Sequence, residues 1–344
     1  LKKTSAFMRP IFIAEAGVNH ENSMDNAKKM INLAQQAGAE AIKFQSYKAS
    51  KIASKFSPSY WNTNYEKSKS QYELFKKYDK FWKNEYETLK KYCDSQNIEF
   101  LSTPFDFDSA NFLNDLVLNF KISSSDLTNK PLVERISSFK KPIMLSVGAS
   151  LEKELKHTLS WIDKIYNSNN VALLHCVLNY PTEDKNAQLN SILYLKNHFP
   201  KNTIGYSDHT LPDNKKVLDT ATMFGAEIIE KHFTLDKNLP GNDHYHSFDF
   251  EDVRMFKKSL ISIRKISGKY QFGNLKNQKK ARLNARRSIV LKKNLKKGHI
   301  IKYRDLDFKR PGTGISPSKI NDVIGRKIKK NLVKDHILLK NEIQ

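Results

Sequence analysis

Eight short apolar runs, separated by segments with helical periodicity, constrain this chain more than any other feature. The runs are 11–16, 41–45, 99–104, 120–124, 142–147, 171–176, 203–207 and 227–232, each rich in Val, Ile, Leu or Phe. None alternates strictly with polar residues, the pattern of parallel strands covered on both faces. Between them lie amphipathic segments: 24–37, with Ala27, Met30, Ile31, Leu33 and Ala34 on one face, then 151–166 and 215–224. Eight strand–helix units over about 250 residues predict a TIM (β/α)8 barrel. An open doubly wound sheet could hold the same units, but no Gly-x-Gly-x-x-Gly follows the first run.

The remaining sequence divides the chain. Residues 1–266 read as the barrel and 267–284, polar and basic, as a linker. Residues 285–344 read as a small, mostly β domain with strand-like runs at 288–291, 300–301 and 337–339. Residues 251–344 carry 27 Lys and Arg against 7 Asp and Glu, so most of the net charge of +23 lies there. A tail of this sign suits nucleic acid or a field over an anionic substrate, or is simply a Lys-rich solvated surface. It lacks a recognition-helix pattern and clustered aromatics, so no nucleic-acid partner is expected. No run approaches the ~20 apolar residues of a membrane helix, and only Cys93 and Cys176 are present. A cytoplasmic protein without disulfides or membrane contact is expected.

In a barrel of this kind the active site lies at the C-terminal ends of the strands. The runs end in Glu15 and Asn19, Lys43 and Gln45, Ser102 and Thr103, Lys121 and Ser124, Ser146, Tyr180, Ser207 with Asp208 and His209, and Lys231 with His232. Lysines beside several hydroxyls suit a phosphate. His209 and His232, at successive strand ends, suit one divalent metal ion, with Asp208 or Glu230 available to orient an imidazole. His244 and His246, on the following loop, read as substrate contacts or surface residues. The long polar and aromatic stretch 46–79, with Tyr60-Trp61-Asn62 and Tyr65, reads as a loop at the barrel mouth. A Schiff-base aldolase using Lys43, Lys121 or Lys231 is the rival enzyme.

Several motifs occur in order: Ile13-Ala14-Glu15-Ala16-Gly17-Val18-Asn19-His20, Lys43-Phe44-Gln45, Ser102-Thr103-Pro104-Phe105 and Lys121-Ile122-Ser123-Ser124. Leu145-Ser146-Val147-Gly148, Gly205-Tyr206-Ser207-Asp208-His209-Thr210 and Glu230-Lys231-His232-Phe233-Thr234 follow them. The set closely resembles the sialic acid synthase family, makers of nonulosonic acids. Ala285-Arg286-Arg287-Ser288 and Lys309-Arg310-Pro311-Gly312 resemble its C-terminal antifreeze-like (SAF, β-clip) domain.

The resemblance implies condensation of phosphoenolpyruvate with an N-acetylated amino-sugar aldehyde and release of phosphate. It implies that His209 and His232 bind Mn2+, or else Mg2+ or Co2+, and that Lys43, Thr103, Lys121, Ser124, Ser146 and Ser207 cradle phosphoenolpyruvate. Glu15, Gln45, Asp126, Tyr180 and Asp243 would address the sugar and the proton transfers. Arg310, from the swapped tail of a partner subunit in a homodimer, would reach the N-acetyl group. The sequence departs from the family where the sugar would lie. It has Ser123-Ser124-Ser125-Asp126 for Gly-Ser-Gly-Glu, Leu178 where Asn is common, and Pro240-Gly241-Asn242-Asp243 for Pro-Gly-Pro-Asp. N-acetylmannosamine and a 6-deoxy-2,4-diacetamido sugar therefore both stand as acceptors.

Overall fold

A computed structural model describes residues 9–61, 63, 66–212, 216–241, 243–268, 273 and 276–344. Asn62, Tyr65, Lys215, Asn242 and part of the 267–284 stretch lie outside the described residues. The chain forms two compact units, Leu1–Gly268 and Lys269–Gln344.

The first unit holds eight strands, all parallel where they pair: β1 (Ile11–Gly17), β2 (Ala41–Ser46), β3 (Glu99–Pro104), β4 (Phe120–Ile122), β5 (Ile143–Ser146), β6 (Val171–His175), β7 (Thr203–Asp208) and β8 (Ile228–His232). Their order, β3-β2-β1-β8-β7-β6-β5-β4, is that of a barrel opened at one seam, and β3 and β4 are neighbours across it. All eight runs predicted as strands are strands, and a TIM barrel results.

Local chemistry explains the helices. Met24–Ala37 starts at Ser23, whose side chain accepts from Asn26 N, and stops at Gly38, φ 93°. Ala27, Met30, Ile31, Ala34 and Ala37 face the sheet. Burying a side chain of the size of Met30 or Ile31 contributes roughly 1.5–3 kcal/mol. The 46–79 stretch, read as a loop, carries two helices, Ala49–Ile52 and Gln71–Tyr78. The second has a local signal that its aromatic content obscured: Ser70 Oγ accepts from Glu73 N at 3.1 Å, and Glu73 Oε2 accepts from Lys69 N at 2.8 Å.

The strand interior is layered. Ile13, Ala41, Leu101, Met144, Leu174 and Ile228 pack together inside the barrel. The large core between sheet and helices takes the opposite strand faces, with Phe12, Ala14, Ile42, Phe44, Phe100, Leu145 and Ile229. Gly205 sits in the inner layer, where an added Cβ would come within 2.8 Å of the Ile228 carbonyl oxygen. Two residues beyond this layer Glu15, Lys43, Thr103, Ser146, Ser207 and Glu230 turn inward, with Cys176 in the corresponding place after β6.

Outside the barrel wall, Lys231 and Asp208 form a buried pair, 0% and 1% exposed, at 2.7 Å. Asp208 also accepts from Tyr206 OH at 2.8 Å and Thr210 Oγ1 at 3.0 Å. Burial alone would raise the Asp208 pKa, but Lys231 and these donors hold it below the usual carboxylate range.

The second unit contains a two-stranded antiparallel ribbon, β9 (Ser288–Leu291) with β10 (Leu306–Lys309), joined by isolated bridges at Leu295–Leu332, Ile300–Lys327 and Ile328–Ile343. Its core is aliphatic: Ile289, Leu291, Leu295, Ile301, Leu306, Ile315, Val323, Ile328, Leu332 and Leu338. The stretch read as a linker carries a helix, Lys279–Ala285, and the Leu283 carbonyl accepts from Gly312 N at 2.7 Å. Among the described residues, no helix is long and apolar enough to cross a membrane, and both cysteines are buried and unpaired.

Asp208→Asn removes the charge that holds the Lys231 ammonium ion. An unpaired buried charge of this kind costs about 3–5 kcal/mol. Urea unfolding of the full chain should show a loss of that size with an unchanged m-value.

Candidate active site

The inward polar layer opens into a cavity of about 440 Å3 at the C-terminal ends of the strands. Parallel register brings its floor together: Glu15 lies opposite Lys43 on one side and His232 on the other. A bulge between Glu15 and Gly17 follows, with Gly17 at φ 52°. A side chain at Gly17 would crowd Gln45 Nε2, which donates to Glu15 Oε1 at 3.1 Å.

Four buried charges form a row. Lys43 Nζ is 2.7 Å from Glu15 Oε2 and 3.8 Å from Glu230 Oε1, and it donates to Thr103 Oγ1 at 2.9 Å. Lys121 Nζ and Ser207 Oγ both donate to Glu230 Oε1 at 3.0 Å. The two carboxylates respond differently. Burial raises the Glu15 pKa to about 7, and the nearby charge of Glu230 adds to it against the pull of Lys43. Burial acts on Glu230 too, but Lys121 and Lys43 outweigh it and bring its pKa to about 2. Lys43, although buried, has a raised pKa because two carboxylates flank it. Ser146 Oγ is buried on the cavity wall with no hydrogen-bond partner, a donor awaiting an oxygen atom.

The histidines line the same cavity. The His209 and His232 rings are 5.7 Å apart, and Tyr180 packs 4.2 Å from His209. His209 Nδ1 lies 2.7 Å from the Val177 carbonyl oxygen, which leaves Nε2 as its lone-pair nitrogen. Burial lowers the His209 pKa to about 4 and that of His232 well below its ordinary value, so both rings are neutral and able to ligate. His232 Nδ1 is buried without a hydrogen bond, 3.9 Å from Asp243 Oδ2. This donor set suits a divalent ion that takes two imidazoles and completes its shell with water or substrate oxygens. Among the described residues, no group of three His, Cys, Asp or Glu side chains is arranged to hold a metal alone.

Of the residues singled out from sequence, Glu15, Lys43, Gln45, Thr103, Lys121, Ser124, Asp126, Ser146, Tyr180, Ser207, His209, His232 and Asp243 all line this cavity. Arg310 belongs to the second unit and is exposed there. Other strand-end residues do different work. Ser102 pairs with Ser46 at 2.7 Å. Asn19 lines the cavity and also donates to the Phe233 carbonyl and to Ser247 Oγ, tying β1 to the loop after β8. Neither Asp208 nor Glu230 orients an imidazole: Asp208 holds Lys231, and Glu230 holds the lysines. His244 and His246 are not surface residues but buried, 2% and 0% exposed. Sequence reasoning underrated Glu230, although its position two residues before His232 puts both on one strand face. It also gave no role to the wall built by Tyr47, Ile52, Leu74, Phe75 and Tyr78.

A Schiff-base nucleophile must be a neutral amine. Lys231 is outside the cavity lining and paired with Asp208, Lys43 is held as an ammonium ion, and Lys121 is buried with its Nζ engaged by the Glu230 carboxylate at 3.0 Å. The site is instead built to hold an oxyanion beside a carboxyl group that titrates near neutrality.

A barrel whose cavity floor carries two buried lysines and two carboxylates, with two histidines on the wall, has the form of an enzyme site for an anionic substrate. The family model described as the NeuB family matches residues 30–272, and the SAF domain model matches residues 286–344. Across its full length the chain is 36% identical to the N,N'-diacetyllegionaminic acid synthase of Legionella pneumophila, covering 97% of that protein. It is 30% identical to the N-acetylneuraminate-9-phosphate synthase of Drosophila melanogaster, over 96% of this chain and 95% of that one. The crystal structure of an N-acetylneuraminic acid synthetase from Leptospira borgpetersenii superposes with a TM-score of 0.69 at 32% identity, covering 80% of this chain and 92% of the other. The chain belongs to the NeuB family. It is a phosphoenolpyruvate-condensing synthase of the nonulosonic acid type, with a C-terminal SAF domain.

Glu15 also predicts a pH effect on stability. Its folded pKa of about 7 exceeds the ordinary glutamate value of 4.5, so the folded state holds the extra proton between those values. The stabilisation is fully present below 4.5 and is lost as pH rises through 7. Glu15→Gln cannot ionise. Its melting temperature should match that of the wild type near pH 4.5 and exceed it at pH 8.

Proposed function

We propose that this chain condenses phosphoenolpyruvate with an unphosphorylated, N-acetylated amino-sugar aldehyde. Water enters, phosphate leaves by C–O cleavage, and a nine-carbon 2-keto-3-deoxy acid forms. One observation carries the reading: Lys43 and Lys121 are the only Lys or Arg among the described residues lining the cavity, and both point at one buried carboxylate on its floor. That is room for one phosphate. The opposite wall, with Ile52, Tyr60, Trp61, Leu74 and Phe75, offers no cation for a second. The apolar wall favours 2,4-diacetamido-2,4,6-trideoxymannose, whose sixth carbon is a methyl group, over N-acetylmannosamine.

Lys43 and Lys121 neutralise the trianion, while Thr103, Ser124, Ser146 and Ser207 donate to its oxygens. His209 and His232 would hold a divalent ion, Mn2+ first among candidates, and such an ion polarises the aldehyde oxygen as a Lewis acid. Gln45, Asp126, Tyr180 and Asp243 orient the sugar so that the enol carbon faces the aldehyde carbon. Carbon–carbon bonding leaves positive character on the carbon bearing the phosphate ester. Glu15, ionised, directs water there and takes its proton, matching the one the aldehyde oxygen gains as it becomes a hydroxyl; the tetrahedral carbon then expels phosphate, and its own hydroxyl proton leaves with the phosphate as the keto group forms.

Phosphate release should be fastest with the diacetamido sugar, slower with N-acetylmannosamine and negligible with N-acetylmannosamine 6-phosphate. Equal or better use of the phosphorylated sugar would overturn the acceptor assignment. EDTA should stop turnover, Mn2+ should restore it, and His232→Ala should not be rescued.

The resemblance also supports a homodimer in which Arg310 of one subunit serves the barrel of the other. Under conditions where subunits exchange, mixing Arg310→Ala with His232→Ala chains should return part of the activity, since each mixed dimer holds one intact barrel facing one intact tail. Exchange without recovery would confine Arg310 to its own chain.

A further inference from the structure

His246 takes no part in the chemistry above, yet its place needs a physical account. Its side chain is 0% exposed, and neither ring nitrogen has a hydrogen-bond partner. Leaving a buried polar group unpaired costs about 1–3 kcal/mol. The ring stands edge-on to His232, with centroids 5.0 Å apart. Its Nε2 is 3.5 Å from Asp243 Oδ1, while the other oxygen of that carboxylate is 3.9 Å from the orphaned His232 Nδ1. Asp243 thus stands between two histidines, slightly too far from each for a full hydrogen bond.

The backbone around this triplet is fixed. Phe233 and Phe248 bridge the two ends of the loop, and Ser247 Oγ donates to the Asp243 carbonyl at 2.5 Å. His246 is not among the residues lining the cavity, so it stands behind the histidine that does.

We infer that His246 is a positioning residue for the metal site. One of its ring N–H groups donates to Asp243 Oδ1, and Asp243 Oδ2 accepts the Nδ1–H of His232. That fixes the His232 tautomer with the Nε2 lone pair toward the cavity. A carboxylate behind a ligating histidine raises its basicity and fixes its orientation; here a second histidine in turn fixes the carboxylate. The inference rests on the metal reading given under Proposed function, and its test separates the two.

The measurement is Mn2+ binding to the metal-stripped full-length chain by titration calorimetry, without substrate, beside a melting curve for each variant. His246→Phe keeps the ring volume and removes the donor. It should weaken Mn2+ binding by about 10- to 100-fold at an unchanged stoichiometry. His246→Gln keeps an N–H of similar reach and should stay within a few-fold of wild type. Should His246→Phe fail to fold, His246→Ala reads the same loss. Wild-type affinity in a folded His246→Phe or His246→Ala chain overturns the inference, and so does a His246→Gln chain as weak as the variant lacking the donor. A wild-type chain that takes up no Mn2+ overturns the metal reading itself, and this one with it.

Discussion

The active end of the barrel depends on one row of buried charges: Glu15, Lys43, Glu230 and Lys121. Removing any of these ions from water costs several kcal/mol, which only close partners can offset. Glu230 has the better share. A single oxygen, Oε1, faces Lys121 and Ser207 at 3.0 Å and Lys43 at 3.8 Å. Glu15 shares its lysine with Glu230 and carries more of the burial penalty, so it sits near neutrality while Glu230 stays ionised. The asymmetry matters for a trianionic substrate. An anion that draws the lysines from the carboxylates acts first on the protonation of the group nearest its pKa, which is Glu15.

Strand parity explains how much of this was legible. The alternation of inward and outward side chains puts Glu15, Lys43, Thr103, Ser146 and Glu230 on the inner face, two residues beyond the apolar layer of Ile13, Ala41, Leu101, Met144 and Ile228, with Lys121, Ser207 and His232 lining the same cavity. Asp208 and Lys231 sit one residue off that parity and become a structural pair in the wall. A list of polar strand ends mixes the two populations, which is why Lys231 read as a site lysine and Glu230 as an accessory. Loops have no such period. The apolar wall from the 46–79 stretch and the burial of His246 arise from tertiary packing, and no local pattern encodes them.

The second unit shows why its charge has so marked a sign. Of the five acidic residues in 285–344, two are spent inside the fold. Asp305 accepts from Lys302 N at 3.0 Å and His299 Nε2 at 2.8 Å, and Glu342 accepts from Leu339 N at 2.9 Å and pairs with His336 at 2.8 Å. Each histidine precedes its carboxylate by six residues, so the same turn is built twice. Both carboxylates also take a lysine, Lys293 and Lys330, at 2.8 and 3.0 Å. With these acids serving as internal caps and an aliphatic core closed beneath them, the lysines have few surface anions left to balance them. The positive surface follows in part from how this small domain holds its turns.

The cavity joins two kinds of structure. Its anion half is carried on strands, where hydrogen-bonded register sets the distances between charges. Its other half is carried on connections: the 124–126 turn, the helices and loop within 46–79, and the 241–247 loop. Coulomb energies between buried charges are large, so small errors in spacing are costly and the rigid half is the one that carries the charges. Sugar recognition relies on shape and scattered hydrogen bonds, which loops on a rigid frame can supply. The sequence departs from its family on those connections. Asp126 is one methylene shorter than a glutamate, and Ser123 and Ser125, on either side of Ser124, stand where the resemblance has glycines. That turn lies outside the strand ladder, while the floor keeps its lysines and carboxylates in strand register.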